Sequence, residues 1–294
     1  MTNDALARVG ISQIVTPTQT LAEDARLYGD AGVGAIGVWV HKLERDRIDG
    51  FWIPQARIPA EVVEAASGAI HASGLRVSHL VLTGFYNGPG TLADAIDHTL
   101  HLIDVADALG AEAVVVAPGR RNGGSYEETQ AVAARALTEV FERSTKPHVR
   151  LALEPIVEWQ SDYLNTLGEA LELVELVDHP NLGVYVDTFH LWRTGTLLDD
   201  IDRAGDRIFG VHVNDWEPGD DHANRLPGDG VIPLADVVRA IEATGYRGTY
   251  DNEYMYDAGL VSSAPDEFAP EAVVARVTRA MGALLDEALA TRVP

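Results

Sequence analysis

The chain has 294 residues, 46% of them hydrophobic, which allows a large core and suits one (β/α)8 barrel of about 250 residues plus insertions. It contains no cysteine, so disulfides, thiolate metal sites and a cysteine nucleophile are excluded. The net charge of -23 disfavours nucleic acids and anionic membranes as partners. No apolar run approaches the roughly 20 residues of a membrane span, and the N-terminus lacks a signal-peptide pattern, so we expect a cytoplasmic protein.

Eight short segments rich in β-branched and other apolar residues predict strands, and the amphipathic stretches between them predict helices. The predicted strands are Val9–Val15, Ala35–Val40, Leu75–Leu82, Ala113–Ala117, Val149–Pro155, Leu182–Asp187, Ile208–Val213 and Gly248–Glu253. The predicted helices include Leu21–Ala31, Thr91–Leu109, Tyr126–Glu142, Thr166–Val177, Leu234–Ala243 and Ala269–Ala290.

Strands that alternate with helices in this way favour a parallel sheet. Eight such units in 294 residues take about 37 residues each, a normal length for a βα repeat. We therefore predict an α/β fold, a (β/α)8 TIM barrel that forms one domain over residues 1–294. A doubly wound sheet is the structural alternative.

Four consecutive predicted strands, the fifth to the eighth, end in side chains that can bind a metal: Glu154, Asp187, His212 and Glu253. Their spacings of 33, 25 and 41 residues each approximate one βα unit, which makes them neighbours at the C-terminal rim, where barrel enzymes carry their active sites. Three carboxylates and one imidazole suit one divalent metal, for which we expect Mn²⁺, with Mg²⁺, Co²⁺ and Zn²⁺ as alternatives. Ordinary rim carboxylates in ion pairs are the other explanation.

The second half of the sequence contains a series of short motifs. They read EPI at 154–156, NTLGEA at 165–170, HPNLGVYVDTFH at 179–190, VHVND at 211–215, RLPGDG at 225–230, and GYRG at 245–248 before Glu253. Over about residues 149–255 the chain resembles the sugar-phosphate isomerase/epimerase superfamily, the xylose isomerase-like TIM barrel group. That group includes ketose 3-epimerases, hydroxypyruvate isomerase, and inosose isomerases and dehydratases.

The resemblance implies roles for particular residues. The four strand-end side chains would hold one divalent metal, and two of them, Glu154 and Glu253, would also act as the acid/base pair on opposite faces of the substrate. His190 and Arg225 would each bind a substrate oxygen. Members of the superfamily are often oligomers, so we expect a homo-oligomer.

The chemistry implied by the resemblance begins with removal of a proton next to a carbonyl. Metal ligation stabilises the resulting enediolate, and a carboxylate takes the proton. Its return to the other face gives epimerisation, and its return to the neighbouring carbon gives isomerisation. We therefore expect a metal-dependent isomerase or epimerase of a carbohydrate, either a keto-sugar or a keto-cyclitol. A lyase on the same scaffold, either a dehydratase or an enzyme that eliminates the aglycone of a 3-keto-glycoside, is the alternative.

One position departs from the ketose 3-epimerase pattern. Those enzymes carry a second glutamate six residues after the first metal ligand, whereas this chain has Gln160 there and Glu158 two residues out of register. The departure argues against a simple epimerase of a free ketose and supports the lyase as an alternative. All five tryptophans lie near the ends of predicted strands or in the following loops, and we expect Trp39 and Trp216, together with Gln160, to contact the substrate. Packing that anchors the loops is the alternative role for the tryptophans.

Two arginines and one histidine leave alternatives open. Arg120 and Arg121, in the loop after the fourth strand, either bind an anionic substrate group or pair with surface acids. His79, inside the third predicted strand, either reaches the pocket or is a core histidine with satisfied hydrogen bonds, and we favour the second interpretation. An abasic-site endonuclease and a non-catalytic sugar-binding protein are further alternatives, and the net charge opposes the first of them.

Overall fold

Eight parallel strands form a closed barrel, each hydrogen-bonded to the next in chain order and the last to the first. The structure, a computed structural model, describes residues 3–48, 56–84, 86, 90–117, 119–220, 222–255 and 266–290. The strands are β1 (Val9–Ser12), β2 (Ala35–Trp39), β3 (Arg76–Gly84), β4 (Ala113–Ala117), β5 (Leu151–Leu153), β6 (Leu182–Asp187), β7 (Ile208–His212) and β8 (Tyr250–Asn252). The predicted (β/α)8 TIM barrel is confirmed.

Helices alternate with the strands around the barrel. Those within the described residues are α1 (Asn3–Leu6), α2 (Leu21–Asp30), α3 (Val40–Arg45), α4 (Ala60–Ala72), α5 (Leu92–Leu109), α6 (Tyr126–Arg143), α7 (Leu167–Val177), α8 (Thr188–Leu191), α9 (Leu197–Ala204), α10 (Leu234–Ala243) and α11 (Pro270–Ala290). In this part of the chain no helix has the length and apolar content needed to cross a membrane.

Four of these helices begin at capping boxes that the sequence contains. Thr20, Thr91, Ser125 and Thr166 each accept a hydrogen bond from the backbone N–H three residues later, and the acidic side chain of that residue accepts one from the cap. The predicted starts of α2, α5, α6 and α7 therefore lie within one residue of the observed starts.

Apolar side chains form one layer outside the strands and another inside the barrel. Val114 and Val116 of β4 belong to the large cluster beneath the helices, while Val115 between them belongs to the smaller cluster with Tyr185 and Phe209. This alternation follows from the strand period of two residues, which points successive side chains to opposite faces. The interior is therefore a packed core, as in other TIM barrels.

The strand register brings four strand ends to one rim. Asp187 and His212, the last residues of β6 and β7, are register partners. Glu154 directly follows β5, and Glu253 directly follows β8. Because all strands are parallel, their C-terminal ends meet at the same edge of the barrel.

Five strands are shorter than predicted, and β1, β5 and β8 lose the most. The predicted first strand continues to Val15, but β1 ends at Ser12, and Gln13–Val15 form a short 3-10 helix. The predicted fifth strand continues to Pro155, but β5 ends at Leu153, since proline has no N–H for the sheet ladder. The eighth spans Tyr250–Asn252 in place of Gly248–Glu253. Helix α4 has no counterpart among the predicted helices. One of the five tryptophans, Trp52, lies outside the described residues. The single domain over residues 1–294 stays a prediction.

Candidate active site

Four side chains at the C-terminal rim converge on one point. His212 Nδ1 lies 2.7 Å from Glu154 Oε1, 3.4 Å from Glu253 Oε2 and 3.8 Å from Asp187 Oδ2. One potential ligand atom from each of the four lies within 4.8 Å of all the others. We name these residues, the four predicted metal ligands, the carboxylate cluster.

The carboxylate cluster is buried and acidic. None of its residues is more than 6% exposed, and within the described ranges no lysine or arginine forms a salt bridge with it. Burial raises the pKa of Glu154 and of Asp187, and raises the pKa of Glu253 well above its usual range, with the charges of Glu154 and Asp187 adding to the effect. Because buried carboxylates without a cation are costly, the arrangement calls for a positive charge.

The donor set fits one divalent cation. Three carboxylates supply hard oxygen ligands and one imidazole supplies a nitrogen, a combination that Mn²⁺, Mg²⁺, Co²⁺ and Zn²⁺ accept. His79 belongs to a second possible group with His212 and Glu253, but its Nε2 faces the other ring nitrogen, His212 Nε2, at 3.3 Å. The carboxylates lie on the Nδ1 side of His212, so a cation held by them would take Nδ1 as its ligand.

Helix α8 and Asn214 hold two of the carboxylates in place. Asp187 Oδ1 accepts hydrogen bonds from the backbone N–H groups of Phe189 at 2.7 Å and His190 at 3.1 Å, which makes it the N-cap of α8. Asn214 Nδ2 donates to Asp187 Oδ2 at 3.3 Å, and Asn214 Oδ1 accepts from the backbone N–H of Glu253 at 3.1 Å. The Asn214 side chain thus ties the ends of β6 and β8 together.

Glu253 is fixed from two further directions. Ser12 Oγ donates to Glu253 Oε1 at 3.1 Å, and Trp39 Nε1 donates to Ser12 Oγ at 2.7 Å. Asn224 Nδ2 donates to the backbone carbonyl of Glu253 at 2.8 Å. Sequence patterns do not predict these roles of Ser12 and Asn224, because neither residue lies in a motif that indicates contact with the eighth strand.

A cavity of about 480 Å³ opens at the carboxylate cluster. Glu154 and Glu253 line it, whereas Asp187 and His212 are not among its lining residues. His190 also lines it, and the Nδ1 atom of this buried histidine has no hydrogen-bond partner among the described residues. A buried nitrogen without a partner at a cavity wall is consistent with the predicted contact to a substrate oxygen.

Most of the cavity wall is apolar, formed by Trp39, Val81, Leu82, Ala117, Ile156, Trp159 and Met255. Arg120 and Gln160 add polar groups, and Arg120 Nε donates to the backbone carbonyl of Gln160 at 2.9 Å. Arg121 instead pairs with Asp162, its Nε 3.6 Å from Oδ2. The predicted substrate contacts that line the cavity are Trp39, Gln160 and His190.

Arg225 and Trp216, also predicted to contact the substrate, do not line the cavity. Arg225 Nη2 donates to Asp220 at 2.6 Å, and its Nε lies 3.6 Å from Glu217. Trp216 packs against the main core, with the Arg193 guanidinium 5.3 Å from its ring centre. Both side chains thus have partners outside the cavity lining, and their substrate contacts stay predictions.

Known proteins match this chain in sequence. A family model described as xylose isomerase-like TIM barrel matches residues 26–279. An inosose isomerase from Halalkalibacterium halodurans is 33% identical over 123 residues, which are 40% of this chain and 43% of that protein. A D-psicose 3-epimerase from Enterocloster bolteae is 29% identical over 137 residues, 46% of this chain and 43% of that protein. A 3-dehydroshikimate dehydratase from Pseudomonas putida is 30% identical over 173 residues, 55% of this chain and 26% of that protein.

These sequence matches span less than half the length of each relative. A solved structure, protein SMc04130 from Sinorhizobium meliloti 1021, matches over more of the chain, with a TM-score of 0.78 and 25% identity. That match covers 93% of this chain and 96% of the other. The fold is thus shared over nearly the whole chain.

Proposed function

The chain belongs to the xylose isomerase-like TIM barrel family, as its motifs predict, and on that premise we propose that it is a divalent-metal-dependent isomerase or epimerase of a keto-sugar or keto-cyclitol. The observation that carries the proposal is the convergence of the carboxylate cluster beside a cavity. The matching relatives are sugar or cyclitol isomerases and epimerases, together with a dehydratase, which supports the same class of chemistry.

The four residues of the carboxylate cluster would hold the cation, for which Mn²⁺ is our first choice. When bound, a divalent cation supplies Lewis-acid stabilisation of the negative charge that develops on the substrate oxygens. Glu154 and Glu253 alone among the four line the cavity, so they are the carboxylates with access to a substrate carbon. Ser12 and Asn224 hold Glu253 in the position from which it would act.

The reaction would proceed by proton transfer between the substrate and these two glutamates. One carboxylate takes the proton from the carbon beside the carbonyl, and the C–H electron pair forms the double bond of an enediolate. The other returns a proton to the opposite face, which gives the epimer, or to the neighbouring carbon, which gives the isomer. The Nδ1 atom of His190 would form a hydrogen bond with a substrate oxygen.

The cavity favours a ring-shaped substrate. Its volume of about 480 Å³ lies in the range of small-molecule sites, which hold ligands well above the size of a triose. Trp39 forms one wall, and Trp159, which is 44% exposed, also lines the cavity. Flat aromatic surfaces suit the apolar face of a six-membered ring, so we infer a cyclitol or a glycoside.

Proton NMR in deuterated water tests this proposal. Protein loaded with Mn²⁺ would be incubated with ketoses, keto-cyclitols and 3-keto-glycosides, and the metal removed before the spectra are recorded. We expect deuterium incorporation next to the carbonyl of at least one compound, and none after the protein is stripped with EDTA. Exchange that is unaffected by EDTA would contradict the metal dependence, and no exchange with any compound would contradict the proposed substrate class.

A lyase is the second candidate, and Gln160 favours it. This residue lines the cavity, and by resemblance it occupies the position of a glutamate in ketose 3-epimerases. The dehydratase among the relatives supports the same alternative. Mass analysis of the product separates the two candidates, because isomerisation conserves mass and elimination releases water or an aglycone. The cytoplasmic location, the homo-oligomer and the absence of nucleic-acid partners stay predictions.

A further inference from the structure

A second group of polar side chains lies inside the barrel, on the side of His212 that faces away from the carboxylates. We name His79, Tyr185, Asp251 and Ser78 the interior network. His79 Nε2 lies 3.3 Å from His212 Nε2, and His79 Nδ1 lies 2.9 Å from Tyr185 Oη. Tyr185 donates to Asp251 Oδ2 at 3.1 Å, and Ser78 donates to Asp251 Oδ1 at 2.6 Å. A continuous chain of hydrogen bonds thus runs from His212 to a buried carboxylate.

The barrel makes space for this network. His79, Tyr185 and Asp251 are fully buried, in a layer that TIM barrels normally fill with apolar side chains. A Cβ atom at any of three strand glycines would overlap one of these side chains, and the pairs are Gly37 with His79, Gly210 with Tyr185, and Gly10 with Asp251. Glycine within a strand often marks such a close approach.

The direction of each hydrogen bond in the network follows from the Asp251 carboxylate, which lies at its end. An ionised carboxylate only accepts, so the Tyr185 hydroxyl gives its one proton to Asp251. The Tyr185 oxygen then accepts from His79 Nδ1–H, which leaves a lone pair on His79 Nε2. Because His79 Nε2 is the acceptor, the hydrogen bond between the two rings must be donated by His212 Nε2–H. The Nδ1 lone pair of His212 consequently points at the three carboxylates of the cluster.

We propose that the interior network positions His212 for metal binding, by keeping its proton on Nε2 and its lone pair on Nδ1. His79, Tyr185 and Asp251 are thus positioning residues that act through His212. The inference rests on the metal centre of the proposed function and not on the reaction. In other metal sites, a partner that hydrogen-bonds to the second nitrogen of a histidine ligand raises the metal affinity by roughly 10- to 100-fold.

Two substitutions at His79 separate positioning from packing. His79→Leu removes the acceptor for His212 Nε2–H, whereas His79→Gln keeps an oxygen that can accept this proton and an N–H that can donate to Tyr185. Calorimetric titration with Mn²⁺ should give a dissociation constant roughly 10- to 100-fold higher for His79→Leu, and within about threefold of wild type for His79→Gln. Far-UV circular dichroism of the metal-free variants controls for folding.

Two results would overturn the inference. Wild-type affinity in His79→Leu would show that the network has no influence on the metal. An equal loss in both variants would show that His79 acts by packing or is itself a ligand. If wild type binds Mn²⁺ but exchanges no substrate proton, the proposed function fails while the positioning role survives, whereas absence of Mn²⁺ binding by wild type defeats both.

The unaltered protein gives an independent test. In protein loaded with diamagnetic Mg²⁺ and labelled with ¹⁵N-histidine, long-range proton–nitrogen correlations identify which ring nitrogen carries the proton. His79 should carry it on Nδ1, with its signals assigned by their absence in His79→Gln. A proton on His79 Nε2 would reverse the hydrogen-bond chain and overturn the inference.

Discussion

The chain buries carboxylates in two clusters and neutralises them differently. In the lysine cluster, formed by Asp24, Lys42, Thr16, Gln13 and Tyr28, the Lys42 ammonium lies 2.5 Å from Asp24 Oδ2, and neither residue is more than 1% exposed. In the carboxylate cluster, three acids share one imidazole and form no salt bridge with a lysine or arginine anywhere in the described segments. Burial is common to both clusters, and the source of positive charge differs.

The lysine cluster is completed by groups of the chain itself. Gln13 Nε2 donates to Asp24 Oδ2 at 2.7 Å, Thr16 Oγ1 donates to Asp24 Oδ1 at 2.5 Å, and Lys42 also donates to the Thr16 carbonyl at 2.7 Å. This cluster joins the segments after β1 and β2, and Gln13 Oε1 accepts from the backbone N–H of Trp39, next to the cavity. A buried carboxylate alone therefore does not indicate a binding site, whereas carboxylates without a cation do.

The largest effect is expected for the two glutamates that line the cavity. Glu154→Gln or Glu253→Gln keeps the shape of the side chain but removes the base, so exchange of the substrate proton should fall by about 10²- to 10⁴-fold. Deuterium incorporation followed by NMR measures it, with circular dichroism as the check on folding. Glu158→Gln, the same change at an exposed position nearby, is the matched control. Near-wild-type exchange in either cluster variant would remove that residue from the acid/base pair.

Lys42→Met should destabilise the fold without affecting the metal. It leaves Asp24 buried without its cation, which typically costs about 3–5 kcal/mol of unfolding free energy. Lys42→Met combined with Asp24→Leu should recover most of that loss, because no buried charge remains. Urea unfolding measures both. Lys146→Met is the control, since the half-exposed pair between Lys146 and Asp107 should contribute at most about 1 kcal/mol.

Added Mn²⁺ should distinguish the two clusters. At a free Mn²⁺ concentration of 100 times the dissociation constant, the unfolding free energy of wild type should rise by about 2.7 kcal/mol, and that of Lys42→Met by the same amount. Asp187→Asn keeps an oxygen for the N-cap of α8 but loses a charged metal ligand, so most of the stabilisation by Mn²⁺ should disappear. Thermal unfolding with and without Mn²⁺ measures the difference, and an equal gain in wild type and Asp187→Asn contradicts the assignment.

The smallest effect concerns pH and the lysine cluster. Burial, opposed by Lys42, raises the pKa of Asp24 from 3.8 to about 6. A carboxyl whose pKa is raised by folding contributes stability that is complete below the unfolded value of 3.8 and is lost as pH rises through about 6. Relative to Asp24→Asn, metal-free wild type should therefore lose unfolding free energy between about pH 4 and pH 7. Urea unfolding across this range checks it, and a constant difference would contradict the shifted pKa.

The sequence predicts the fold and the carboxylate cluster because both depend on local patterns. Two of the cluster acids, Glu154 and Asp187, directly follow apolar runs, in LALE at 151–154 and VYVD at 184–187. Parallel strands then bring these ends to one rim without further information. Similarly, the capping boxes at Thr20 and Ser125 mark the helix starts within the sequence itself.

The rest depends on contacts that sequence spacing does not encode. His79 meets Tyr185 across 106 residues and His212 across 133, and the only local sign is glycine inside strands such as Gly37. Arg225 lies in a motif of the family, yet its guanidinium donates a hydrogen bond to Asp220, five residues away. The interpretation of His79 as a core histidine thus missed that one of its partners is a predicted metal ligand.

The most direct test of the central claim is the amount of Mn²⁺ that the protein binds at equilibrium. Metal analysis after dialysis should find one Mn²⁺ per chain in wild type, and a large loss of bound Mn²⁺ in Asp187→Asn and Glu154→Gln. Lys42→Met should still bind one. No bound metal in wild type, or one in all variants alike, would contradict the account of the carboxylate cluster as a site that takes its cation from outside the chain.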